Sequence, residues 1–178
     1  SVISAIANGP KSITFHAGKT AEVKTIRVGP WVKDTTVLFD LGYFKYQLFS
    51  RIVRNGGHFV SRVKKTANPT IVSVLRQHRG RAIDLAGKGL QEILPQLKRQ
   101  VLDVLVEVSF KRRSYKANAS PATETYRLVG VLNKETGQYH LYLTSLSPEQ
   151  FSAEDVALLY GHADRHCGTG NSARREPP

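Results

Sequence analysis

The sequence has little sulfur, little acid and no long apolar run. A single cysteine, Cys167, among 178 residues excludes an internal disulfide and any zinc site built from several thiolates. No stretch approaches the ~20 apolar residues that a spanning helix needs, and no signal peptide opens the chain, so no membrane partner is expected and the cytoplasm is the default compartment. Methionine is absent. The chain opens without an initiator on Ser1-Val2-Ile3-Ser4-Ala5-Ile6-Ala7, whose alternation of apolar and small residues reads as a strand entered partway through a sheet. Acidic residues number 14 against 26 Lys and Arg, a formal charge of +12, which makes a polyanion the favoured partner. Nucleic acid is favoured over an acidic membrane, because no basic amphipathic helix with a Trp or Phe face is evident. The one tryptophan, Trp31, reads as a packing residue.

Apolar material is ample, at 40% of residues, for one ordinary domain with a buried core. The most informative stretch is Thr36-Val37-Leu38-Phe39-Asp40-Leu41-Gly42-Tyr43-Phe44. Val37, Leu38 and Phe39 form a short continuous apolar run, as in a strand covered on both faces. Asp40 closes it at the carboxyl end, where α/β sheets place ligands and catalytic groups. A carboxylate there is either available to a metal or simply the start of a turn or a helix cap. After Gly42 the period turns helical, with Phe44, Leu48, Phe49, Ile52 and Val53 on one stripe that stops at Asn55-Gly56-Gly57. His58-Phe59-Val60-Ser61-Arg62-Val63-Lys64 then reads as a second strand.

This order of strand, Asp, Gly-Tyr, helix, Gly-Gly, strand and Arg-x-Lys resembles the second acidic motif of bacterial insertion-sequence transposases of the DDE type, in the group with a Y-R-E-K signature. The resemblance is firmest from Asp40 to Lys64 and extends over about Ser1 to Tyr160. It implies an α/β, RNase H-like catalytic core, α+β overall, in which two aspartates and a glutamate hold two Mg²⁺ or Mn²⁺ ions. It implies Asp40 as the second aspartate, catalytic and metal-ligating, with transposon ends of DNA as substrate and a homodimer on that DNA. Segments like Ser12-Ile13-Thr14-Phe15-His16 and Glu22 to Ile26 separate the first two aspartates in the family, so the first is placed upstream of Ser1. Glu22 and Asp34 do not end apolar strands.

The expected organisation is a part of the core over 1–64, a β-rich insertion over 65–147, the start of the glutamate helix over 148–160 and a tail over 161–178. Leu90, Ile93, Leu94 and Leu97 give a short helical stripe that Pro95 kinks. In Val101 to Phe110 the residues Val104, Val106, Val108 and Phe110 share one parity, and Asp103, Glu107 and Ser109 the other, so both acids read as solvent-facing. Thr125 to Leu132 and Gln138 to Thr144 flank a Gly-containing loop and predict a β-hairpin. The basic cluster Lys111, Arg112, Arg113 and Lys116 with Arg127 is a candidate for contacts to DNA phosphates, and Arg62, Lys64 and Lys65 are a second. Tyr115, Tyr139 and Tyr142 suit either base stacking or packing.

Ser152 caps a last helix, with Glu154 and Asp155 in its first turn. The family's helix carries Tyr, two residues, Arg, three residues, Glu, six residues, Lys. Tyr160 is the motif remnant, whereas Ala163, Cys167 and Arg174 stand at the other positions. After Tyr160 no apolar period continues the helix, so 161–178 reads as a disordered or frame-shifted tail. His162, Asp164, His166 and Cys167 offer a competing metal reading that Gly168-Thr169-Gly170 does not support. Missing two of three carboxylates, the isolated chain is expected to be an inactive, incomplete fragment of a cut-and-paste enzyme that binds metal weakly. A non-enzymatic basic nucleic-acid-binding protein is the alternative. A metal-dependent nuclease would need Asp84, Asp103 or Glu107 near Asp40.

Overall fold

The computed structural model describes residues 3–4, 27–77, 83–112 and 120–167, with side chains between 27 and 161. The expected strand Ser12 to His16, the residues Arg113, Tyr115 and Lys116, and the end of the tail, 168–178, lie outside the described residues. The strands β1 (Ile3–Ser4), β2 (Thr36–Phe39), β3 (His58–Arg62), β4 (Thr70–Val74), β5 (Val101–Lys111), β6 (Pro121–Leu132) and β7 (Tyr139–Thr144) make one sheet. Its spatial order is β1-β2-β3-β7-β6-β5-β4. β2 and β3 are parallel, and every other described pair is antiparallel. The strands of the expected insertion thus continue the core sheet, joined to it where β7 lies along β3.

The helices are α1 (Tyr46–Arg54), α2 (Leu90–Ile93) and α3 (Ala153–Cys167). Pro95 sits in a 3₁₀ turn that ends the short α2, since it has no N–H to continue the ladder. α1 and α3 cover opposite faces of the sheet, and period-2 alternation sorts the side chains between them. Val37, Phe39, Phe59, Val104, Val106 and Leu128 pack with Leu48, Phe49 and Ile52 of α1. Leu38, Val60, Val129 and Tyr142 pack with Val156 and Tyr160 of α3. β2 is therefore buried on both sides, as its unbroken apolar run requires.

Several details differ from the sequence reading. Val53 is off the buried stripe and 40% exposed, while Ser50 is buried and donates to Glu124 Oε1 at 2.7 Å. Trp31 is 44% exposed, its indole N–H donating to Arg27 O, because Pro30–Val32 turns at the surface before β2. α3 runs on to Cys167, past the predicted end of the helix at Tyr160. Its start is held by a reciprocal cap: Asp155 N donates to Ser152 Oγ, and Ser152 N and Oγ donate to Asp155 Oδ2. Among the described residues no helix is long and apolar enough to cross a membrane.

Tyr126 lies under Phe59 and donates to Glu124. Burial first, then the hydrogen bond and the charge of Glu124, push its phenol well above the ordinary 10.0, against a smaller pull from Arg54. The unfolded chain gives up this proton first, so the stabilisation is complete below about pH 10 and lost as pH climbs beyond it. Tyr126→Phe is expected to flatten the alkaline fall in stability. Superimposable stability–pH curves for the two proteins above pH 10 would contradict that linkage.

Candidate functional site

Parallel pairing of β2 with β3 brings their carboxyl ends to one edge. Phe39 is in register with Ser61, so Asp40 leaves the sheet beside Arg62, the last residue of β3. Arg62 is itself in register with Tyr142 of β7. Asp40 is exposed and caps the 3₁₀ turn Leu41–Tyr43, its Oδ1 accepting from Leu41 N at 2.6 Å. That contact restrains the carboxylate at the start of the turn.

α3 completes the edge from the other side of the sheet. Tyr160 is buried, its ring 5.2 Å from that of Tyr142, and its hydroxyl lies 3.5 Å from Asp40 Oδ1. Two residues 120 positions apart, singled out separately in the sequence, thus meet at one point. Tyr142 packs in this cluster, which takes it out of the base-stacking candidates, and half-buried Tyr139 donates its hydroxyl to Arg99 O.

Beside Asp40 an open groove of about 560 Å³ runs from Leu41, Arg62 and Lys65 to the β6–β7 loop at Asn133 and His140. Asn133 Oδ1 accepts from Glu135 N and Thr136 N, which shapes that loop. Gln91 donates to the carbonyls of Lys65 and Ala67 and holds the chain after β3 in place. Lys64 and Lys65 are exposed and Arg62 half-buried. Arg62 and Lys65 line the groove together with Leu41, and cations so placed can hold backbone phosphates.

The other basic cluster goes elsewhere. β5 runs opposite to β2, so exposed Lys111 and Arg112 leave the sheet at the end away from Asp40. Arg127, expected to touch DNA, is 3% exposed and paired with Asp103, expected in solvent and 6% exposed. Its Nε donates to Asp103 Oδ1 at 2.8 Å and its Nη2 to Oδ2 at 2.7 Å. Nη1 donates to the carbonyls of Phe151 and Leu146, at the entry to α3. Burial under that entry, with all three guanidinium nitrogens bonded inside the protein, removes Arg127 from the DNA candidates. Glu107, on the same face but farther along β5, is exposed as expected.

Asp40 alone does not make a two-metal centre. Among the described residues no three His, Cys, Asp or Glu side chains come together to hold a metal, and Asp34 sits in a left-handed turn before β2, at the other end of that strand. The described residues therefore do not fit a metal pair.

Residues 8–162 match the family model described as a transposase DDE domain. A search of curated proteins finds no match. The family match covers most of the chain and lends no support to a non-enzymatic basic protein.

Proposed function

The chain belongs to the DDE transposase family, and from that premise we propose that Asp40 is the second aspartate of the family triad, in the group whose last helix carries the Y-R-E-K signature. Transposases of this family cleave DNA and transfer strands, with divalent metals supplying the activation of the attacking oxygen. The observation that carries the assignment is the approach of Tyr160 to Asp40 at 3.5 Å, at the carboxyl end of β2. In this reading Arg62, Lys64 and Lys65 hold the phosphates of a transposon end, and the Leu41 amide orients Asp40 toward them. Cut-and-paste transposition is the overall reaction proposed for the intact family arrangement.

The chain by itself is proposed to be silent in that reaction, because Cys167 occupies the motif position of the glutamate and Asp34 precedes β2, at the end of that strand away from Asp40. α3 reaches Cys167, seven residues and about two turns beyond Tyr160 on the same helical stripe. Cys167→Glu is expected to raise Mn²⁺ affinity on the order of tenfold over the single-carboxylate site, measured by titration calorimetry. Adding Asp40→Asn is expected to abolish the gain. A gain that survives Asp40→Asn, or no gain at all, would remove Asp40 from the triad. Plasmid nicking by the unsubstituted chain in Mg²⁺, lost in Asp40→Ala, would instead show an active chain.

A further inference from the structure

α1 turns a basic stripe away from the sheet. Gln47, Arg51 and Arg54, at i, i+4 and i+7, share its outer face, and both arginines are exposed. The Gln47 amide donates to Lys111 O at 2.9 Å, which brings Lys111 and Arg112 alongside the first turn of α1. At the other end of the helix the Lys33 side chain lies 3.4 Å from where a Cβ on Gly56 would stand. Lys33, Arg54, Arg51, Lys111 and Arg112 thus follow one another over the outside of α1. Arg54 shares Glu124 at 3.5 Å; among the described residues the other four are in no ion pair. The acids nearby are Asp34, exposed next to Lys33, and Glu124, already accepting from Ser50 and Tyr126.

Lys33 before β2 and Lys111 at the end of β5 lie toward the end of the strands away from Asp40, and α1 is on the face opposite α3. We propose that the outer face of α1, with Lys33, Lys111 and Arg112, is a second binding track for the phosphate backbone of duplex DNA, separate from the Asp40 edge. The four unpaired cations match a polyanion in charge, and their spread along a helix of nine residues, about 13 Å at 1.5 Å per residue, spans several phosphates of one strand. The track's cations stand on an open surface and suit backbone phosphates rather than base edges. It therefore binds duplex DNA without regard to sequence.

The test is DNA binding by the whole chain without divalent metal, followed by anisotropy with a labelled duplex of about 15 base pairs across a salt series. The unsubstituted chain is expected to take two short duplexes. Arg51→Ala with Lys111→Ala is expected to leave one, to weaken that binding about tenfold at low salt, and to reduce the slope of log K against log salt by about 2. Arg62→Ala with Lys65→Ala is expected to remove the other site, which tests the Asp40 edge separately. Lys134→Ala, on the β6–β7 loop at the other end of the groove from Arg62 and away from α1, is the charge control for the track, and equal thermal midpoints exclude misfolding. A stoichiometry of one in the unsubstituted chain, or a salt slope that Arg51→Ala with Lys111→Ala changes no more than Lys134→Ala does, overturns the second track.

Discussion

Asp103→Leu and Arg127→Leu are each expected to destabilise the fold by about 3–5 kcal/mol, and the double substitution by far less than their sum. The two side chains are almost wholly buried, 2.7 Å apart at the closest, and each neutralises the other where water cannot. Removing Asp103 leaves a guanidinium with only carbonyl partners. Removing Arg127 leaves a bare carboxylate and also frees the Leu146 and Phe151 carbonyls that fix the approach to α3. Replacing both with leucine removes the uncompensated charge, and apolar replacements of buried pairs are often neutral. Urea denaturation of the four proteins gives the cycle directly. If either single variant unfolds within about 1 kcal/mol of the parent, the pair is solvated and Arg127 returns to the DNA candidates.

That pair marks where the sequence stops being legible. Parity along β5 reads Asp103 as solvent-facing, and the neighbouring basic cluster reads Arg127 as a contact to DNA. Parity was right about the face and silent about what covers it. Asp103 lies opposite Val129 and Arg127 opposite Leu105, so the two are diagonal neighbours across the ladder, and α3 lies over that patch but not over Glu107. The available signal was a charge of each sign set among apolar residues, Asp103 between Leu102 and Val104 and Arg127 between Tyr126 and Leu128. By contrast, β2, α1 and β3 follow from local pattern alone: an unbroken apolar run, a helical stripe and a Gly-Gly stop.

The site was legible in halves. Asp40 at a strand end and Tyr160 on a late helix are both local inferences, and the resemblance to a family joined them before any contact was known. Their meeting depends on strand order, since β7 must insert beside β3 to carry the chain back across to α3. Strand direction likewise decides that Lys111 and Arg112 leave the sheet away from Asp40. No count of basic residues along the chain contains that information.

Phe49→Ala should cost about 3–5 kcal/mol, comparable with the loss of either buried charge. Phe49 has no exposed surface and stacks on Phe59 with centroids 4.3 Å apart and planes 5° from parallel. It also meets Phe44 edge-on at 5.5 Å and Phe39 at 5.9 Å. One ring thus joins α1 to the residue before Asp40, to the turn after it and to β3. Leucine refills much of the volume, so Phe49→Leu should recover more than half of the loss. Val53→Ala, on the same helix but at the surface, should stay within about 0.5 kcal/mol of the parent. Chemical denaturation of the three variants separates a helix anchored by one aromatic from one anchored evenly along a stripe. Should Val53→Ala prove as costly as Phe49→Ala, α1 would have to be rotated on the sheet, and Arg51 and Arg54 would no longer share its outer face.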